Sequence, residues 1–466
     1  MISDMKTTFK FSLLISIFFL NHFCFSQKKR LMVQQGHSSF VETIAFSPDN
    51  SKIFTGSVDV TFKIWDSKTG KLLRFAELDN PYDYISGGFF YLKGGQQAII
   101  QTINNIQLWD LENLTHTIVY RNVSSDDKLR GITQDGSKIL IINPKRFSSA
   151  FVIDIKQKKR ILNIRLTSEI FQKATSSRYM HKVNDATFSP NEKMILVGLS
   201  NGTTKLIDIK THKILKTFKK DTVQIKKVGF SNDGLFIYTL NTKNVVTVWN
   251  RQTEKIRQQI NFPKEYMINN DAIFPSRGLV VLSDQRNNLM IKNMNSGRLI
   301  QKFNFKNRTI YNPRVSSDVK TFLCVSNYDF MLWDVETGKQ LLLIPTAYKT
   351  TIPFQVASDS VHITQITMLG GEISFNENTK VKAVKSERDN DPNIYLRDAK
   401  THKLKATLYS GFPNKKAWLI TTPNGKYDGN KEGLQYLHYV KGVDRVLPLP
   451  KNDPNRVKGL LKKLLK

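Results

Sequence analysis

Apolar and polar positions alternate in short blocks along most of this chain, most clearly between residues 41 and 76. The runs at 41–46, 52–56, 61–65 and 71–76 are five or six residues long and bounded by turn residues. Runs of that length, rich in Ile, Val, Phe and Thr, predict β-strands. Ser47-Pro48-Asp49-Asn50 separates the first two, Ser57-Val58-Asp59-Val60 the next two, and Thr69-Gly70 precedes the fourth. Proline presets φ and Asx side chains hold local backbone groups, so tight turns are expected there. The predicted unit is a four-stranded meander.

The Trp65-Asp66 pair that ends the third run has counterparts along the chain. They are Trp109-Asp110, Ile153-Asp154, Ile207-Asp208, Trp249-Asn250, Lys292-Asn293, Trp333-Asp334 and Arg397-Asp398, at intervals of 44, 44, 54, 42, 43, 41 and 64 residues. A period of 41–44 residues is that of one four-stranded propeller blade. The two long intervals predict insertions near 164–182 and 344–366. A second landmark keeps the same beat: Ser47-Pro48-Asp49, Thr133-Gln134-Asp135-Gly136, Ser189-Pro190-Asn191, Ser231-Asn232-Asp233-Gly234 and Ser316-Ser317-Asp318.

The set Gly36-His37, Asp59 and Trp65-Asp66 resembles the WD40 repeat, and the resemblance covers about residues 31–410. It implies an all-β, WD40-type β-propeller of four-stranded blades with a short helical C-terminal tail. Eight anchors favour eight blades, with seven as the alternative. The resemblance also implies a buried network joining His37, Asp59, Trp65 and the hydroxyl of Thr61 or Ser57. Asn201 stands in the aspartate's place in the fourth unit, and isoleucine replaces tryptophan in units three and four. Arg30 to Gln34 is expected as an outer strand closing the ring onto the last blade.

Residues 411–466 read as a tail apart from the propeller at 27–410. A hairpin is expected around Asn424-Gly425. Leu434, Leu437 and Val440 fit one helical stripe within 432–440. Val457, Leu460, Leu461, Leu464 and Leu465 fit another, opposite Lys458, Lys462, Lys463 and Lys466. Docking on the propeller is the expected role of this last helix, with contact to a membrane surface or anionic polymer through those lysines as the alternative. Trp418, Thr422-Pro423-Asn424-Gly425 and Tyr427-Asp428-Gly429 resemble the segment that closes propellers in bacterial proteins combining WD repeats with a caspase-like peptidase domain. That resemblance implies a sensor role beside a separate caspase-like chain, and no peptidase activity here.

Lys6 and Lys10 ahead of the apolar stretch 11–20, with Cys24-Phe25-Ser26 before Gln27, read as a signal peptide over 1–26. Export to the periplasm or the medium is therefore expected. Of the two cysteines, Cys324 lies in an apolar run and is expected as a buried, inert thiol.

Candidate chemistry has simpler structural explanations. Gly198-Leu199-Ser200-Asn201-Gly202 matches the nucleophile-elbow spacing, but it falls between two strands in register with Gly56-Ser57-Val58-Asp59. Arg388-Asp389-Asn390-Asp391-Pro392-Asn393 lacks the periodic oxygen ligands and closing Glu of a calcium loop. No catalytic, cofactor-binding or metal-ligating residue is expected, and the chain is not read as an enzyme. The net charge of +31 makes anionic ligands an alternative partner, although the cations are spread through every unit. The expected function is a monomeric scaffold for protein partners.

Overall fold

The computed structural model describes residues 29–80, 82–144, 149–165, 182–263, 273–283, 288–305, 308–326, 329–345, 381–385, 393–398, 400–409, 417–441 and 445–465. The leader at 1–26, residues 388–392 of the acidic loop, Lys466 and the cores of the two insertions lie outside them. Seven consecutive four-stranded antiparallel sheets span 41–77, 85–121, 128–165, 183–219, 225–261, 273–303 and 310–345. Each is a simple meander, so its four strands are contiguous in the chain. They are numbered blades 1 to 7 below, with strands counted from the ring centre outward.

Both repeated landmarks are hydrogen-bonded turns. In the inner turn, Ser47 Oγ donates to Asp49 Oδ1 at 2.6 Å and accepts from Lys52 N at 2.9 Å. Thr133, Ser189, Ser231 and Ser316 repeat that pair of bonds in blades 3, 4, 5 and 7. In the outer turn, Asp66 Oδ1 accepts from Thr69 N at 2.7 Å. The same Asx turn recurs at all the other anchors from Asp110 to Asp398. A side chain that closes its own turn needs no partner from afar, which explains why the rhythm persists where the tryptophan is lost.

The ring closes at seven blades, so the favoured count of eight is corrected to the alternative. Blade 1 packs directly on blade 7: the Trp65 and Phe330 rings lie 5.2 Å apart, and Leu323, Val325, Phe330, Leu332 and Ile344 share the blade 1 core. Asn312 Nδ2 donates to Glu42 O at 2.9 Å, and Asn50 Nδ2 donates to Ser317 Oγ at 2.7 Å.

The outer strands show the same closure. In blades 1, 4, 5 and 6 the third residue of the outer strand, counted from the turn, reaches the outer turn of the following blade. Arg74 donates to Glu112 O, Lys216 to Gln252 O at 2.5 Å, Gln258 to Asn295 O, and Gln301 to Val335 O at 3.0 Å. In blade 7 that position is Leu342, which rests on Gly70 of blade 1. Leucine cannot donate. Gln34 does so instead, its Nε2 donating to Gly70 O and its Oε1 accepting from Leu72 N, both at 2.7 Å.

The eighth repeat unit forms a separate five-stranded sheet over 381–429. The hairpin expected beyond residue 410 completes it, with Leu419–Thr421 paired to Leu404–Tyr409, so no boundary falls at 410. A third kind of sheet joins the two ends of the described chain. Lys29–Val33 pairs with Leu437–Lys441, which pairs with Arg445–Leu447. The N-terminal strand therefore meets the tail and not the last blade. His438 Nε2 bonds Leu72 O at 2.8 Å, so this small sheet and Gln34 together cover part of the blade 1 edge.

Residues 432–440 do not make one helix. A four-residue helix, Lys431–Leu434, is capped by Asn430, whose side chain accepts from Gly433 N, and the chain then extends. Leu434, Leu437 and Val440 fit a helical spacing, but Leu437 and Tyr439 also fit a strand, and an unpaired N-terminal strand decides between them. The last helix is Leu460–Leu465, shorter than its stripe suggests. Residues 455–457 instead run beside Tyr427, with Val457 N donating to Tyr427 O at 2.9 Å. Asp428 Oδ2 accepts from Gly459 N at 2.7 Å, and Leu460 is buried against the hairpin, so this helix docks on the eighth sheet. Lys458 and Lys463 are exposed. Among the described residues, no helix is long and apolar enough to cross a membrane.

Candidate functional site

In blade 1, His37, Asp59, Thr61 and Trp65 meet in one set of hydrogen bonds, to which Thr55 is added. His37 Nδ1 lies 3.0 Å from Asp59 Oδ2, and His37 Nε2 lies 2.7 Å from Thr55 Oγ1. Trp65 Nε1 donates to Thr55 Oγ1 at 2.8 Å. Thr61 Oγ1 donates to Asp59 Oδ1 at 2.6 Å, and Ser38 N donates to Asp59 Oδ2 at 2.8 Å. The hydroxyl that joins histidine to tryptophan is thus Thr55. Thr61 serves the aspartate, and Ser57 Oγ accepts from Asp59 N.

The protons run in one direction: indole to threonine, threonine to imidazole, imidazole to carboxylate. That order requires a neutral imidazole carrying its proton on Nδ1, a tautomer assigned from the network. Burial drives the same choice, holding the His37 pKa below its ordinary value against the pull of Asp59. Burial alone would raise the Asp59 pKa, but His37 and the hydrogen bonds outweigh it and hold the carboxyl well below the usual range.

Thr55 carries no turn or motif signal, yet its position repeats. Ile53 faces Trp65 across the sheet, and Thr55 lies two residues on. In blade 5, Ile237 faces Trp249, and Trp249 Nε1 donates to Thr239 Oγ1 at 3.1 Å. In blade 7, Phe322 faces Trp333, which puts Cys324 at the same position. Cys324 is fully buried, and burial pushes its thiol pKa up, in keeping with the inert thiol expected. Sulfur is a weak acceptor, and the buried Trp333 Nε1 has no oxygen or nitrogen partner. Cys324→Thr is expected to raise stability by about 1 kcal/mol, read as a higher urea midpoint.

Gly198-Leu199-Ser200-Asn201-Gly202 is a hairpin turn. Leu199 ends one strand of blade 4 and Thr203 opens the next. Ser200 Oγ accepts from Lys182 N at 2.8 Å, and Asn201 Oδ1 accepts from Thr203 N at 3.1 Å, as Asp59 does from Thr61 N. Gly202 has φ +80°, and a Cβ there would lie 2.3 Å from Asp221 O, so the glycine is needed for backbone approach.

The innermost strands carry the charge at the ring centre. Blades 1, 3, 4 and 5 have a bulge near the start of that strand, after Val41, Leu129, Val183 and Ile225. Each bulge brings a polar residue to the same level: Glu42, Arg130, Asn184 and Lys226. Asp185 is buried and ties three blades together. Its Oδ1 lies 2.5 Å from Arg130 Nη2 of blade 3 and 3.8 Å from Lys227 Nζ of blade 5, and its Oδ2 accepts from Val228 N. Partial burial raises the Glu42 pKa and lowers that of Lys226. Glu42 and Lys226 are thus partly desolvated, while Arg130, Asp185 and Lys227 are engaged in cross-blade contacts.

The loops that enter the first strands of blades 1 and 2 lie on the same rim. They expose two aromatics, Phe40 at 51% and Tyr82 at 85%. Among the described residues, no group of three His, Cys, Asp or Glu side chains could hold a metal ion.

A closed ring of four-stranded meanders with these turns defines a β-propeller. Residues 28–66 match the family model of the WD domain, G-beta repeat, and residues 113–295 match that of the nucleolar protein 10-like N-terminal domain. The chain is 27% identical to WD repeat-containing protein 3 of Mus musculus over 38% of this chain and 18% of that protein. It is 21% identical to eukaryotic translation initiation factor 3 subunit I of Aspergillus terreus, over 42% of this chain and 57% of the relative. Autophagy-related protein 16 of Arabidopsis thaliana is 23% identical over 47% of this chain and 40% of its own length. The chain thus spans between a fifth and three fifths of these relatives. The fold is a β-propeller, and the matched stretches are similar to WD-repeat proteins.

Proposed function

We propose that this chain is an exported scaffold that binds a protein partner through the rim carrying Phe40 and Tyr82. The two exposed aromatics in neighbouring entry loops carry the reading. Tyrosine and phenylalanine offer large contact area at small entropic cost and are enriched at protein interfaces. They stand on a ring held rigid by cross-blade bonds, the usual setting for recognition loops. The similarity to a protein named as a subunit of a translation factor supports binding as the general mode. A protein is preferred over an anionic polymer because Arg130 and Lys227, two cations of the innermost strands, face Asp185.

The double variant Phe40→Ala, Tyr82→Ala tests the surface. Affinity for a partner captured by the wild-type chain is expected to fall at least tenfold, with the melting temperature unchanged. An unaltered affinity would remove this rim from the interface. Export is tested by fractionation and N-terminal sequencing, with Gln27 expected as the first residue.

A further inference from the structure

Blade 5 preserves the frame of the blade 1 network but not its histidine. Ile225 pairs with Asn241 as Val41 pairs with Ser57, and Thr242 N donates to Gln224 O as Val58 N donates to Phe40 O. The two segments therefore align without a gap. Asp221 falls at the place of His37, Lys243 at that of Asp59, and Val245 at that of Thr61. Thr239 and Trp249 keep the places and the mutual bond of Thr55 and Trp65.

Where the imidazole fills blade 1, a cavity of about 10 Å³ lies between blades 4 and 5. That is about the least volume that admits one water molecule. Its walls include Thr204, Thr239, Asn241, Thr247, Lys220 and Asp221, with the Trp249 ring and apolar side chains completing the lining. Thr204 is buried, and its hydroxyl oxygen has no hydrogen-bond partner. The Thr239 hydroxyl accepts the indole proton and has no imidazole to receive its own.

We infer that this cavity is a binding site for one ordered water molecule, which takes the place of the His37 imidazole in joining Thr239 to Thr204. Water suits the site because it can both accept from Thr239 and exchange a bond with Thr204, and because polar side chains make up about half of the lining. A cavity lined by leucine or isoleucine would stay dry at this size. An apolar occupant would leave both hydroxyls without a partner, and the one cation in the lining, Lys220, stands beside Asp221, so the site offers an anion no net positive charge.

A crystal structure at a resolution that shows ordered solvent, together with the variant Thr204→Val, tests this. The expected result is a single density peak within hydrogen-bond distance of both Thr204 Oγ1 and Thr239 Oγ1. The melting temperature of Thr204→Val should then be equal to or below that of the wild type, because the water loses a partner. An empty cavity would overturn the inference. So would a higher melting temperature in Thr204→Val, since removing a hydroxyl that is truly unpaired relieves its burial cost. A peak that appears only with ammonium salts in the crystal would replace water by a cation. A second variant, Asp221→His with Lys243→Asp, should displace the peak by restoring the side chains of blade 1.

Discussion

Asp59→Ala is expected to lower the stability of the protein by about 3–5 kcal/mol. The carboxylate accepts from the backbone of Ser38 and Thr61, from the Thr61 hydroxyl and from His37. Alanine leaves the buried imidazole without the acceptor that fixes its tautomer, and the entry loop of blade 1 without its anchor. A urea melt followed by tryptophan fluorescence reads the loss directly, because Trp65 ends the same chain of bonds. A loss below about 1 kcal/mol would mean that the network is ornamental to blade 1.

The same network gives the pH dependence a definite sign. The His37 pKa is below 6.5 in the folded state, so the unfolded chain binds more protons as pH falls through that value. Its contribution is complete above about pH 6.5 and declines below it. The Asp59 pKa is held below its unfolded value of 3.8, so its contribution is complete above that value and is lost at lower pH. Both groups make acid the destabilising direction. The urea midpoint should begin to fall below pH 6.5 and fall more steeply below pH 4.

Phe330→Ala is expected to cost about 3–5 kcal/mol, the range for a large aromatic removed from a packed core. Phe330 is 1% exposed and meets Trp65 across the seam between blades 7 and 1. Among the described residues no strand is shared across that seam, because each blade is contiguous in sequence. Side-chain packing, a few hydrogen bonds and the small terminal sheet hold it. Loss of Phe330 should therefore unpair the ends first, seen as faster hydrogen exchange at residues 29–33 and 437–441 than at blade 4. Uniform exchange across all blades would show that the seam is no weaker than its neighbours.

The rhythm of the blades was legible because its markers are local. Ser47 with Asp49, and Asp66 with Thr69, close turns within a few residues, so each repeat announces itself. The blade count was not, because closure depends on contacts such as Asn50 with Ser317, 267 residues apart. The unit ending in Arg397-Asp398 has the same outer turn as the others yet forms a sheet apart from the seven of the ring. Thr55 escaped notice for a related reason: a threonine within a strand looks like any other until Trp65 is placed beside it. At 432–440, periods of three and of two fitted the same residues, and the partner at 29–33 chose the strand.

Pairing of Lys29 with Lys441 also sets the timing of assembly. The first strand leaves the ribosome roughly 400 residues before its partner, which at 5–20 residues per second is an interval of about 20–80 s. Seven blades can stack during that wait, since each needs only its neighbour. The first strand cannot, and its edge stays open to any other nascent chain. A helper that shields residues 29–33 until the tail arrives would raise the yield of folded protein more than one that acts on any blade.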